Sequence, residues 1–132
     1  MKKLIALMAF VGGLFSVNSY ADSVSCYVDT SKFDYYSQDF CIGSESRPNY
    51  RPVVSFKVNT VKDVSRVEWK FSGKYKTPAS SCTGSRCLVE VYSRESRMTA
   101  CVDKVYYTDY TWEDVNWCAT AEYIYTSGNI HF

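Results

Sequence analysis

The 132-residue chain is predicted to be an all-β protein, an antiparallel β-sandwich stabilised by disulfides, with a small barrel as the alternative closure. Three observations lead there. Apolar and polar residues alternate with a period of two in several short segments, turn-forming residues separate those segments, and an even number of cysteines, six, is spread between positions 26 and 118. Apolar residues nowhere recur at helical spacing over three turns, so helix is marginal. With 46% hydrophobic and 17% aromatic residues the chain has enough apolar surface for a core, which excludes disorder and low-complexity architectures.

The N-terminus reads as an export signal. Lys2 and Lys3 precede an apolar run from Leu4 to Phe15, broken only by Gly12 and Gly13, and Ser19 and Ala21 put small residues at −3 and −1 of a cleavage site. About 12 apolar residues fall short of the roughly 20 needed to span a bilayer, so membrane insertion is not expected. Residues 1–21 are therefore expected to be a signal peptide and residues 22–132 a single sandwich domain, periplasmic or secreted, of bacterial type. Ser23 stands where a lipobox before Cys26 would need Leu or Val, which argues against lipidation. Without Lys2 and Lys3, the 15 Lys and Arg become 13 against 14 Asp and Glu. That balance lacks the basic footprint of a nucleic-acid or anionic-lipid binder.

In an oxidising compartment six cysteines imply three disulfides. Zinc would need tight Cys or His pairs, and the chain offers only Cys82-x4-Cys87 with a lone His131 near its end, so neither metal nor cofactor is expected. Near-symmetry about Asp109-Tyr110 suggests a two-residue turn closed by Thr108 and Thr111. That register sets Cys101 opposite Cys118 in a non-hydrogen-bonded pair, where Cα atoms come within about 4.5 Å. It also opposes Val102 to Trp117, Ala100 to Ala119 and Met98 to Ala121 on an apolar face, and leaves Lys104 awkwardly opposite Val115. Cys82–Cys87 then closes a turn and Cys26–Cys41 remains, although a nested Cys41–Cys82 pairing is also compatible with the spacing.

The strand assignments follow from alternation. Val54, Phe56 and Val58 share one side of the segment Val53 to Thr60, and Val67, Trp69 and Phe71 one side of Ser65 to Phe71. Leu88 to Tyr92 is a shorter strand, Arg97 to Tyr107 and Trp112 to Tyr125 form a long hairpin, and Cys26 to Asp29 and Phe40 to Ile42 are weaker. Gly43 to Asn49, Asn59 to Asp63 and Gly73 to Gly84 carry turn chemistry. The runs VVSFKV, SRVEWKFSG, CLVEVYS and the hairpin ending NWCATAEYIY resemble strands B, C, E, F and G of an immunoglobulin-like or PKD-like sandwich, over roughly residues 50 to 125. The resemblance implies that Trp69 packs at the centre of the core. The chain departs from the antibody pattern in having no Cys in VVSFKV.

Catalytic signals are few. A Ser or Cys nucleophile usually needs a positioned His, and His131 is second-last. Asp103, Asp109, Glu113 and Asp114 could supply a glycosidase-like carboxylate pair, but alternation sends Glu113 and Asp114 to opposite faces. No segment has EF-hand spacing or a phosphate-binding glycine loop. Aromatic excess is the stronger signal. Tyr106, Tyr107, Tyr110 and Trp112 crowd the hairpin end, and Phe33, Tyr35, Tyr36 and Phe40 lie inside the Cys26–Cys41 ring. Such rings either cover the ends of the sandwich or form a binding surface, because they offer contact area with little rotamer entropy to lose. The expected function is a non-enzymatic exported binding protein that recognises another protein through these rings, as a periplasmic inhibitor or immunity protein would. The alternatives are a carbohydrate-binding module stacking sugars on Trp112, Tyr110 or Tyr107, and a small glycan hydrolase using the acids.

Overall fold

The computed structural model describes residues 22–30, 35–78 and 82–126, and within them every regular element is a β-strand. The expected signal peptide, Phe33 and His131 lie outside the described residues. Nine strands follow in order: β1 (Ser23–Val28), β2 (Ser37–Gln38), β3 (Phe40–Glu45), β4 (Val53–Asn59), β5 (Val64–Gly73), β6 (Thr77–Pro78), β7 (Arg86–Glu90), β8 (Glu95–Tyr107) and β9 (Trp112–Tyr125). They form two sheets, one ordered β2-β1-β4-β7-β6 and the other β3-β9-β8-β5.

The sheets are antiparallel with one exception that the sequence did not signal. β3 runs parallel to β9, Phe40 opposite Thr120 through Glu45 opposite Tyr125. The chain leaves the first sheet after β2, turns at Asp39 with φ of 67°, and enters the second sheet beside its last strand. Asp tolerates this left-handed conformation better than most residues.

Period-two alternation builds the core. In β4 the sequence VVSFKVN turns Val54, Phe56 and Val58 inward, and Val24, Cys26 and Val28 of β1 lie opposite them in reverse order. Against this layer the second sheet packs Val67, Met98, Ala100, Val102, Val105, Ala119, Ala121 and Tyr123, all buried. The inward residues of both sheets form one buried cluster, in which the second sheet contributes the small Ala100, Ala119 and Ala121 beside its larger side chains. Trp69 is not at the centre as the immunoglobulin resemblance implied. β5 is the edge of its sheet and its register slips between Glu68 and Trp69. The indole is half-buried against the edge of the core, 6.4 Å from Phe56 and parallel to Phe71 at 6.3 Å, and its Nε1–H donates to the Gly84 carbonyl at 2.8 Å.

Three disulfides hold the layers, in the pairing that spacing favoured. Cys26–Cys41 joins β1 of one sheet to β3 of the other, Cys82–Cys87 closes the turn before β7, and Cys101–Cys118 crosses the hairpin with Cα atoms 4.0 Å apart. Both edges of the first sheet are two-residue strands, and β6 contains Pro78, which lacks the N–H a further strand would need.

Close approach of β3 to β1 depends on Gly43, where a Cβ would lie 2.7 Å from Val28 Cβ and 3.0 Å from Thr30 Cγ2. Gly43→Ala is expected to cost about 1–3 kcal/mol by overpacking, seen as a lower midpoint in guanidinium at unchanged slope; an unshifted midpoint would show that β1 and β3 can separate freely.

Candidate functional site

The hairpin tip differs from the two-residue turn expected at Asp109-Tyr110. Tyr110 N–H donates to the Tyr107 carbonyl at 3.1 Å, Tyr107 N–H donates to the Thr111 carbonyl at 2.8 Å, and Tyr110 has φ of 70°. This is a three-residue loop, a turn followed by a left-handed residue. Thr108 and Thr111 therefore do not close the hairpin. The register shift that such a loop introduces is undone at a bulge between Val102 and Lys104, so Val102 still opposes Trp117 and Cys101 still opposes Cys118. Between bulge and tip, Lys104 opposes Asp114 instead of Val115, and its Nζ lies 3.5 Å from the Asp114 carboxylate. The awkward pairing of the expected register thus disappears.

Side chains from the β4–β5 turn hold the loop. Lys62 Nζ lies 3.1 Å from Asp109 Oδ2, donates to Thr111 Oγ1 at 2.7 Å, and sits 4.3 Å above the Tyr107 ring. Thr108 N–H donates to the Asp63 carbonyl at 3.0 Å. Asp109 accepts from the Thr111 hydroxyl and, at 3.0 Å, from its N–H. These bonds, the Thr111 hydroxyl first and then its amide and Lys62, pull the Asp109 carboxyl down to about 2, so it stays ionised at neutral pH.

On this frame the hairpin aromatics separate into distinct roles. Tyr110 is 96% exposed and Trp112 is 55% exposed. Tyr106 opposes Trp112 on the outer face, half-buried, donating its hydroxyl to Glu68 Oε2 at 2.8 Å beneath the Arg66 guanidinium at 4.0 Å. Lys104 lies 4.5 Å over the Trp112 ring. Tyr107 is a correction to the surface expected from sequence. It points inward, 3% exposed, and donates to Glu113 Oε1 at 2.5 Å. Burial, then the Glu113 carboxylate, pushes its phenol up to about 12. Its face follows from the bulge, which sets Tyr106 rather than Tyr107 opposite Trp112.

The described N-terminal aromatics, Tyr35, Tyr36 and Phe40, do not join this group. Tyr36 lies on the outer face of the first sheet, edge-on to Tyr27 at 4.7 Å, with its hydroxyl 2.7 Å from Ser55 Oγ and Lys57 over its ring. It covers Ser55, which is buried although strand alternation points it away from the core. Tyr35 is exposed beside it, and Phe40 stands on β3.

The four acids are engaged one by one. Asp103 pairs with Lys70 at 2.9 Å, Asp109 with Lys62, Asp114 with Lys104, and Glu113 accepts from Tyr107. Among the described residues no three His, Cys, Asp or Glu side chains are placed to hold a metal ion. Two shallow grooves beside Lys62, of about 250 and 480 Å³, are open and mostly polar, unlike the apolar, enclosing clefts that bury small ligands. Sequence reasoning missed Lys62, Arg66 and Lys104. Of these Lys62, in the turn Asn59 to Asp63, carried a signal, since that turn had to sit at one end of the sandwich, and so did Lys104, which the expected register left opposite Val115. Comparison of the chain with known protein families, with curated proteins and with solved structures found no match.

Proposed function

We propose that the protein is a non-enzymatic binding protein that recognises another protein through the hairpin tip, with Tyr110 and Trp112 as the contacting rings. The single observation that carries this reading is Tyr110, almost wholly exposed and held at positive φ. Left-handed backbone costs a residue with a side chain about 1–2 kcal/mol, and glycine fills such a position without that strain. Among the described residues the large ring there has almost no cover that would offset this cost, which supports a use outside the fold. The stapled loop presents the ring already ordered, which lowers the entropy cost of association.

Lys104 over Trp112 and Arg66 over Tyr106 each occupy one face of those rings, which reduces the surface on which a pyranose would stack and supports a protein partner. The separate engagement of the four acids supports a non-enzymatic reading. We further propose an immunoglobulin-like sandwich. The orders β1-β4-β7-β6 and β5-β8-β9 correspond to strands A-B-E-D and C-F-G of that fold, with β3 added beside the last strand. Three disulfides in a small domain are consistent with an oxidising, extracellular environment, and we propose export to the periplasm or beyond.

Tyr110→Gly tests the reading. Relief of strain is expected to raise the unfolding free energy by about 0.5–1 kcal/mol, after the entropy lost to glycine in the unfolded chain. The same variant, used as bait in a bacterial envelope extract, is expected to lose a protein that the wild-type bait retains. Equal retention by both baits would refute the role of the tip, and binding to a glycan array lost on Trp112→Ala would favour the carbohydrate reading.

A further inference from the structure

The three disulfides differ in what their opening would require. Thiol–disulfide exchange needs one sulfur within reach of an attacking thiolate and expels the other as a thiolate, so a bond opens readily only where the first is accessible and the second leaves toward water. Cys26 and Cys41 are both buried between the sheets and offer neither. Cys82 is half-buried, but its partner Cys87 is 1% exposed within the core cluster, so attack at Cys82 would expel a thiolate into apolar surroundings. Cys101 and Cys118 are both half-buried and lie outside that cluster, on the solvent-facing side of β8 and β9. Access is best at Cys118. β3 begins beside β9 only at Thr120, and among the described residues no strand flanks β9 from Trp112 to Ala119, so the direction behind Cys118 leads out over an open sheet edge. Lys70 opposes Cys101 on the other side, but it pairs with Asp103 at 2.9 Å, so access rather than local charge singles out this bond.

We propose that the Cys101–Cys118 bridge is a redox-responsive clasp on the hairpin, opened by a dithiol reductant while the sandwich stays folded. A thiolate of the dithiol attacks Cys118 Sγ and forms a mixed disulfide; the bond between Cys101 and Cys118 breaks, and Cys101 leaves with the electron pair and takes a proton from water. The second thiol of the reductant, giving up its proton, then displaces the Cys118 thiolate, which is protonated in turn. Two electrons and two protons thus pass to the cysteines, and the dithiol becomes a disulfide. The β8–β9 ladder continues on both sides of the pair, from Glu95 opposite Ile124 to Tyr106 opposite Trp112, and β5 pairs with the same stretch of β8, so the two thiols remain opposed and the bridge can re-form. What the open state loses is its lock on register. The bridge lies directly before the bulge between Val102 and Lys104, and it admits only one alignment of its two strands. Once it opens, the ladder and packing alone hold the bulge, and the segment from Val102 to Trp117, which carries Tyr110 and Trp112, gains freedom relative to the sheet. The clasp acts on the tip whatever the tip binds.

Graded dithiothreitol treatment of the oxidised protein at neutral pH, quenched with an alkylating agent and mapped by mass spectrometry, tests the clasp. Cys101 and Cys118 are expected to be labelled about tenfold faster than the other four cysteines. NMR on isotope-labelled protein in that state is expected to show the Trp112 indole and the amides of residues 102–117 shifted or broadened and the amides of β4 and β7 unmoved, with the original spectrum restored by oxidised dithiothreitol. Cys101→Ser with Cys118→Ser is expected to reproduce the reduced spectrum of the hairpin and to show no fast label. First labelling at Cys82 and Cys87, labelling of all six cysteines together, or a reduced state whose hairpin amides match the oxidised ones overturns the inference. The labelling and NMR measurements use the wild-type protein, so they decide the matter even if the double serine variant fails to fold.

Discussion

Replacing Cys26 and Cys41 together by alanine is expected to lower the unfolding free energy by about 3–5 kcal/mol, the upper part of the roughly 2–5 kcal/mol typical for loss of a native disulfide from a small domain. Two effects combine. The bridge closes a loop with a sequence separation of 15, for which restriction of the unfolded chain contributes about 3 kcal/mol. Both residues are also in the core, 0% and 4% exposed, so their removal leaves unfilled space between the sheets. Cys101 and Cys118 close a loop of similar length but are only half-buried on the outer face of the hairpin, so the corresponding double variant loses the chain restriction with less cavity cost. Guanidinium unfolding of the oxidised proteins should therefore order the midpoints as wild type, then the Cys101/Cys118 variant, then the Cys26/Cys41 variant. A Cys26/Cys41 variant within about 1 kcal/mol of wild type would mean that packing alone holds β3 in place.

Phe56→Ala is the second large effect, an expected loss of about 3–5 kcal/mol. Phe56 is fully buried in the centre strand of the first sheet, between Cys26 of β1 and Cys87 of β7, with Trp69 of the facing sheet 6.4 Å away. Its neighbours are tied on three sides by disulfides and strand pairing and cannot collapse into the void. Phe56→Leu retains most of the volume and is expected to cost less than about 2 kcal/mol. Calorimetry on both variants checks the argument; a Phe56→Ala loss no larger than that of Phe56→Leu would show that the site relaxes.

What the sequence disclosed and what it withheld divide along one physical line. Alternation is a local pattern with one buried face, so β4, β7 and both arms of the hairpin could be read, and with them the Cys101–Cys118 pairing. Irregularities carry no such pattern. Nothing in Thr108-Asp109-Tyr110 announces a left-handed tyrosine, because glycine or asparagine is the usual sign of that conformation. The compensating bulge at Asp103 depends on the loop, so missing one meant missing the other, and with them the inward face of Tyr107. The parallel β3–β9 pair and the peripheral place of Trp69 are set by which strand ends at which sheet edge, a property of the whole chain rather than of any window of it. Of the candidate site, the exposed Tyr110 and Trp112 were legible as aromatic excess, whereas the basic residues that pair with the neighbouring acids come from β5, the β4–β5 turn and the last, turn-ward part of β8.

The parallel strand also fixes when the fold can be completed. β3 is hydrogen-bonded to residues about eighty positions later, so a chain emerging N-terminus first holds its 40–45 segment without a ladder partner until the last strand has appeared. Contacts of such high order make all-β domains slow, with folding over milliseconds to seconds. Cys41 can meet Cys26 long before that, and an early covalent link would hold the waiting strand against the facing sheet of its own chain, away from a neighbour's.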